Sequence, residues 1–137
     1  MVPETPFRWP VRVYYEDTDA GGVVYHANYL RFLERARSER LRSLGFELDA
    51  LQRDHGILFA VRSAALDFRK PARFNDALWV TAELEEVRFT SLYFSQAVIR
   101  GEDEILCTAQ VRVVCIADGV FRPTALPEFL LRKLKAP

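Results

Sequence analysis

The chain is poorly equipped for metal, disulfide or nucleic-acid chemistry. It holds only two histidines and two cysteines in 137 residues, too scattered in sequence to form an evident ligand cluster for a metal. Cys107 and Cys115 fall in one expected strand. Eight residues of strand span about 26 Å, beyond the reach of a disulfide. They are expected to be buried small hydrophobes in a reducing compartment. Nineteen basic residues balance nineteen acidic ones, so the basic excess usual in a nucleic-acid binder is missing. An anionic ligand would have to be met by a local basic cluster. No signal-peptide pattern opens the chain and no apolar run is long enough to span a bilayer, which points to the cytoplasm. There is no phosphate-cradling glycine and lysine motif and no G-x-S-x-G elbow.

What is present suits one globular domain, assigned to residues 1–137. Half of the residues are apolar and 28% are charged, which argues against disorder. No linker, repeat or low-complexity segment interrupts the chain. From Trp9 to Tyr15, Trp9, Val11, Val13 and Tyr15 alternate with Pro10, Arg12 and Tyr14, the pattern of a strand. The sequence from Asp17 to Gly22 breaks the pattern as a loop. A helix is expected from Ala27 or Asn28 to Leu44, stopped by Gly45. Leu30, Leu33, Leu41 and Leu44 form a stripe expected to face the core, with Arg37 near its middle and Glu34 placed to pair with it across one turn.

Leu48–His55 reads as a short second helix. Four strand-like stretches follow: Ile57–Lys70, Ala77–Phe89, Ser91–Gly101 and Glu104–Ala117. Arg100-Gly101-Glu102-Asp103 supplies a hairpin turn. The tail from Phe121 carries Pro123 and Pro127, then an amphipathic segment from Glu128 to Lys135, expected to dock on the surface. One strand, one long helix and four strands with short turns give an α+β chain with an antiparallel sheet. A helix of about seventeen residues is about 25 Å long, enough to cover one face of that sheet.

The chemistry lies in Tyr14-Tyr15-Glu16-Asp17-Thr18-Asp19-Ala20-Gly21-Gly22-Val23-Val24-Tyr25-His26-Ala27-Asn28-Tyr29. Two aspartates, a glycine pair and a histidine precede the main helix. Glycine lets the backbone turn tightly and approach a ligand. Unpaired N–H groups at a helix start present partial positive charge that suits a developing oxyanion. A nearby carboxylate can activate water or attack directly. On spacing alone, Asp17 and Asp19 equally fit a capped turn, and His26 a hydrogen-bonded helix residue. A calcium loop is excluded, since a strand precedes the acids and Asn28 stands where a bidentate glutamate is needed.

This segment, with Phe32 and Glu34-Arg35-Ala36-Arg37, resembles the signature of the Tol–Pal-associated (YbgC-type) acyl-CoA thioesterases, of the 4-hydroxybenzoyl-CoA thioesterase group in the hotdog superfamily. Supporting pieces run along nearly the whole chain: Phe7-Arg8-Trp9-Pro10, Pro71-Ala72-Arg73, Thr90-Ser91-Leu92, Val113-Val114-Cys115 and Ala125-Leu126-Pro127. The resemblance implies a hotdog fold, a five-stranded antiparallel sheet wrapped around the helix. It also implies a homodimer or homotetramer with active sites at the dimer interface. Asp19, not Asp17, would be the catalytic aspartate, with His26 beside it. Backbone N–H groups around Tyr25 and His26 would polarise the thioester carbonyl, and Arg88, Thr90 and Ser91 would lie near the coenzyme A arm. The substrate would be an acyl-CoA, with acyl carrier protein a further possible partner and no cofactor or metal required.

Arg69, Lys70, Arg73 and Arg88 are the candidates for phosphate contacts. Phe59, Leu66, Phe68 and Phe94 are candidates for the acyl tunnel. Two other readings compete: a hotdog dehydratase acting on a hydroxyacyl thioester, and a non-catalytic module binding acyl thioesters or acyl carrier protein in a cell-envelope complex. The Asp-Thr-Asp-x-Gly-Gly order fits hydrolysis better than dehydration.

Overall fold

The computed structural model describes residues 6–135. In chain order the strands are β1 (Arg8–Arg12), β2 (Ile57–Phe68), β3 (Ala77–Thr81), β4 (Glu83–Arg88), β5 (Ser91–Arg100), β6 (Glu104–Ala117) and β7 (Arg122–Pro123). The helices are α1 (Tyr29–Ser43), α2 (Leu48–His55) and α3 (Glu128–Lys135). All strand pairings are antiparallel, and the path across the sheet is β1-β3-β5-β6-β2.

The expected strand Ala77–Phe89 is divided. β3 pairs with Val98–Arg100 of β5 and β4 pairs with Ser91–Ser95, so both follow one neighbour with a break at Ala82. The break has a local cause. The Thr81 hydroxyl accepts the Ala97 N–H at 2.8 Å, and the Thr81 carbonyl accepts the Gln96 side-chain amide at 3.0 Å. Side chains thus replace ladder bonds at this point, and the strand bends. β1 also ends earlier than expected. Tyr15–Asp17 turns into a short 3-10 helix because the Asp17 carboxylate accepts the Tyr14 N–H at 2.8 Å.

The helix α1 buries Tyr29, Phe32, Leu33, Ala36, Arg37 and Leu41. The expected stripe is therefore half right. Leu33 and Leu41 are inside, but Leu30 is 45% exposed and Leu44 sits half-buried beyond the last helical residue. At 100° per residue the buried face centres between Tyr29 and Leu33, and Leu30 stands roughly 80° off it. Gly45 adopts φ +96°, the left-handed conformation that ends a helix without a Cβ penalty. Arg37 does not form the expected ion pair with Glu34; its guanidinium donates to Gln96 Oε1 at 3.0 Å.

Phe32, Leu33, Val80, Leu92, Phe94, Val98 and Leu106 are fully buried or nearly so between helix and sheet. Each such side chain contributes about 1.5–3 kcal/mol by leaving water. The C-terminal helix α3 docks by Leu130, which is fully buried, and by Phe129, whose ring lies 4.4 Å from His55 and 6.1 Å from Phe46. Cys107 and Cys115 are free and buried on β6, as expected. Among the described residues no helix is long and apolar enough to cross a membrane.

The two edges of the sheet differ. β1 carries Pro10, which lacks a donor and blunts an edge. β2 is twelve residues long, pairs on one side with β6, and exposes Val61–Ala65 along its middle.

Candidate active site

The acids at the helix entrance have separate structural fates. Asp17 is buried, and its carboxylate accepts the Tyr14 N–H at 2.8 Å and the Asn28 side-chain amide at 2.7 Å. Its carbonyl accepts the Tyr25 N–H at 2.9 Å. Asp17 therefore ties the end of β1 to the start of α1. Asp19 is exposed at the tip of a tight turn, where its N–H donates to Val23 O at 2.9 Å and its own carbonyl accepts the Gly22 N–H at 3.0 Å. Gly22 makes the turn possible with φ +80°. The Asp19 carboxylate accepts the Gly21 N–H at 2.8 Å, which orients Oδ1 and leaves Oδ2 available.

The Tyr25 N–H is not available to a substrate, contrary to expectation, because Asp17 O already takes it. The available donors lie one residue further on. His26–Asn28 forms a 3-10 turn leading into α1, and among the described residues neither the His26 nor the Ala27 N–H has an acceptor. Such orphan donors at a helix entrance carry the partial positive charge that an oxyanion requires.

The loop is backed by a second one. The Val24 N–H donates to Ala72 O at 2.8 Å, and Val23 bridges to Arg73. That second loop is pinned by Arg100, which donates to Pro71 O at 3.1 Å, to Asp76 at 2.8 Å and to Glu104 at 2.9 Å. Those carboxylates push the Arg100 pKa upward. Tyr29 completes the contact: its hydroxyl accepts the Ala72 N–H at 3.1 Å, and burial raises its pKa.

A cleft of about 260 Å³ opens beside this entrance, lined by Val24, His26, Tyr29, Phe68, Arg69, Lys70 and Pro71. The Phe68 ring meets Tyr29 edge-on at 5.3 Å and His26 at 6.4 Å. Arg69 pairs with Asp67 at 3.1 Å and Lys70 with Glu104 at 3.4 Å, both largely exposed. Exposed pairs are weak, so either cation can turn to a phosphate at little cost. Arg73 is exposed too, on the backing loop. Among the described residues no group of histidine, cysteine and acid side chains could hold a metal ion.

Arg88, Thr90 and Ser91 do not join this site within the chain. Ser91 pairs with Val114 on β6, whereas Phe68 pairs with Cys107. Seven residues of strand separate the two levels, about 23 Å. The Arg88–Ser91 corner is the β4–β5 turn, which necessarily lies at the end of β5 opposite the Gly101 turn. Ser91 is buried and accepts from Arg112 Nε at 3.2 Å. The Thr90 carbonyl accepts the Cys115 N–H, and Arg88 pairs with Glu86 at 2.5 Å. Asn28 as the partner of Asp17 was not expected from the sequence, and Phe68, a candidate for the acyl tunnel, meets His26 in this cleft. No local spacing signals either contact.

Residues 21–107 match the family described as the thioesterase superfamily. The chain belongs to that superfamily. This thioesterase is 47% identical over 131 residues to the acyl-CoA thioester hydrolase YbgC of Escherichia coli O6:H1, covering 96% of this chain and 97% of the relative. The crystal structure of a probable thioesterase from Bartonella henselae superposes with a TM-score of 0.85 at 35% identity, covering 90% of this chain and all of that one. A 1,4-dihydroxy-2-naphthoyl-CoA thioesterase from Synechocystis superposes with a TM-score of 0.85 at 25% identity, over 95% of this chain and 96% of that one. The fold is the hotdog fold, a curled antiparallel sheet around a helix, as the sequence resemblance implies.

Proposed function

We propose that this chain hydrolyses acyl-CoA thioesters to the free acid and coenzyme A, with Asp19 as the reacting carboxylate. The observation that carries the assignment is the division of labour between the acids. Asp17 is consumed by two hydrogen bonds inside the loop, while Asp19 has an available oxygen at the exposed tip. Similarity to acyl-CoA thioester hydrolases over 96% of the chain supports the substrate class.

In this reading the thioester carbonyl oxygen receives the His26 and Ala27 N–H groups, and the carbon faces Asp19. Attack by the carboxylate, or by a water that it deprotonates, gives a tetrahedral oxyanion held by those donors. Its collapse breaks the C–S bond, and coenzyme A leaves as thiolate. Direct attack leaves a mixed anhydride that water then opens. His26 acts through its backbone N–H, and its ring forms a wall of the cleft. Arg69 and Lys70 stand at the same cleft for the phosphates of coenzyme A.

The reading includes a homodimer. The unpaired edge of β2 is long enough to pair with its own copy, and exposed edges of this length otherwise invite aggregation. Pairing about the strand midpoint would set Phe68 of one protomer opposite Ile57 of its partner. The partner subunit's Arg88, Thr90 and Ser91, near that end, would then approach the Asp19 cleft. A thioester on acyl carrier protein presents a similar arm and would be a second substrate form.

The test is thiol release from a panel of acyl-CoAs of increasing length, with light scattering on the same sample. Turnover by a species of at least twice the chain mass of 15.8 kDa is the expected result. No turnover on any ester would end the enzymatic reading, and a monomer that turns over would end the composite site. Label found in Asp19 after single-turnover hydrolysis in ¹⁸O-water would establish direct attack, with the anhydride opened at the aspartyl carbonyl.

A further inference from the structure

The central helix buries a charge for which the hydrolytic steps have no use. Arg37 is 8% exposed, and its guanidinium donates to Gln96 Oε1 at 3.0 Å. Gln96 is buried as well, and its amide nitrogen donates to Leu33 O and Thr81 O at 3.0 Å each, so the acceptor is locked in place. A guanidinium carries five N–H donors. Among the described residues Gln96 is the one group that accepts from Arg37. Its other guanidinium nitrogens have no protein acceptor but are not sealed from water, so they stay open to a ligand that displaces it. Burial accordingly pushes the Arg37 pKa down, with nearby Glu34 opposing the shift.

Arg37 lines a cleft of about 110 Å³ between α1 and strands β2, β5 and β6, with Leu41, Phe59, Leu92 and Phe94 among its apolar walls and Glu34 also lining it. A small apolar cleft with one fixed polar group is the ordinary form of a specificity pocket. We propose that this cleft receives the far end of the acyl group and that Arg37 selects chains bearing a neutral hydrogen-bond-accepting oxygen there, such as a keto group. The proposal rests on the acyl-CoA reading and on the β2 pairing above. In that pairing the Phe59 end of one protomer meets the Phe68 end of the other, so the cleft of one protomer adjoins the Asp19 entrance of its partner. Charge decides the class of terminus. Glu34 and Arg37 sum to zero, which disfavours a carboxylate, and the guanidinium can only donate.

The experiment compares straight-chain acyl-CoAs of four to eight carbons with the same chains bearing a penultimate keto group. The readout is the keto-to-parent ratio of kcat/KM in the parent enzyme, in Arg37→Met and in Arg37→Lys. At one chain length or more the ratio should be about tenfold or greater in the parent, the scale of a buried charge-assisted hydrogen bond. It should fall toward one in Arg37→Met and be partly kept in Arg37→Lys. The matching keto-alkyl and alkyl thioethers of coenzyme A, which cannot be hydrolysed, should show the same ratio in Kd. A ratio near one at every length, a ratio untouched by Arg37→Met, or preference for chains ending in carboxylate would overturn the proposal. If no ester is cleaved but the thioethers keep the Arg37-dependent preference, hydrolysis fails and the cleft assignment stands.

Discussion

The side-chain amide of Asn28 donates to the Asp17 carboxylate at 2.7 Å, joining residues eleven apart and fixing the Asp17–Gly22 loop to the entrance of α1. This bond makes Asp17 a fastener, and the proposed chemistry then falls to Asp19. Asp19→Asn should lower kcat by about two orders of magnitude or more, the usual scale for losing a reacting carboxylate. Its melting temperature should stay near that of the parent. Asp17→Asn should keep substantial activity but melt earlier, since a buried amide cannot accept both bonds equally well. Asn28→Ala should cost about 1–3 kcal/mol of stability through the orphaned Asp17 oxygen. Steady-state kinetics and thermal unfolding of the three variants check the assignment, which is wrong if Asp17→Asn is inactive and Asp19→Asn is not.

Gly21 offers a finer probe of carboxylate placement. A Cβ built there would lie 3.2 Å from Asp19 Oδ1, and the backbone at Gly21 needs no left-handed conformation. Gly21→Ala should therefore fold well yet push the carboxylate aside. Small displacements of a reacting group are costly, so kcat should fall by roughly tenfold with KM little changed. A variant with parental kcat would mean that Asp19 tolerates movement and is not held for reaction.

Phosphate contacts should show in KM. Arg69 and Lys70 line the cleft shared with His26, and their present partners are weak surface pairs. The double variant Arg69→Ala/Lys70→Ala should raise KM for CoA esters several-fold with a smaller change in kcat, since phosphate binding is nearly uniform between ground and transition states. An unchanged KM would remove both residues from the site.

Arg88 tests whether the site is composite. Within one protomer it stands at the wrong end of β5 to reach Asp19. If it acts from the partner, an Asp19→Asn chain and an Arg88→Ala chain should complement. Refolding them together should yield mixed dimers with one intact site, and turnover at low substrate should exceed the mean of the two separate preparations. Simple averaging would place Arg88 outside the site.

The buried thiols supply a pH test. Burial pushes the pKa of Cys107 and Cys115 from about 9 up to about 11. The unfolded chain ionises these thiols first. Their contribution to stability is therefore full below about pH 9 and is lost as pH rises toward about 11. Iodoacetamide at pH 8 should leave native protein unlabelled and modify both cysteines after unfolding. Rapid labelling of the native protein would contradict their burial.

The sequence by itself determined the antiparallel sheet, the single central helix and the loop on which the proposed chemistry rests. Alternation of period two, glycine stops and the Asp-Thr-Asp-Ala-Gly-Gly run are local signals, and they act through residues only a few positions apart. The tertiary structure decided the rest. Which acid was engaged depended on Asn28, brought across the loop by the packing of the helix on the sheet. Thr81 and Gln96 bent the expected strand at Ala82 through contacts between distant residues. The sheet also determined which flank of α1 stayed uncovered, leaving Leu30 out and Arg37 in. Whether the Arg88 corner and the Asp19 cleft share one end of a protomer was fixed by strand register, which a linear pattern does not encode. Hydrogen bonds and burial at these positions join residues far apart in the chain, so they exist only once the sheet has closed around the helix.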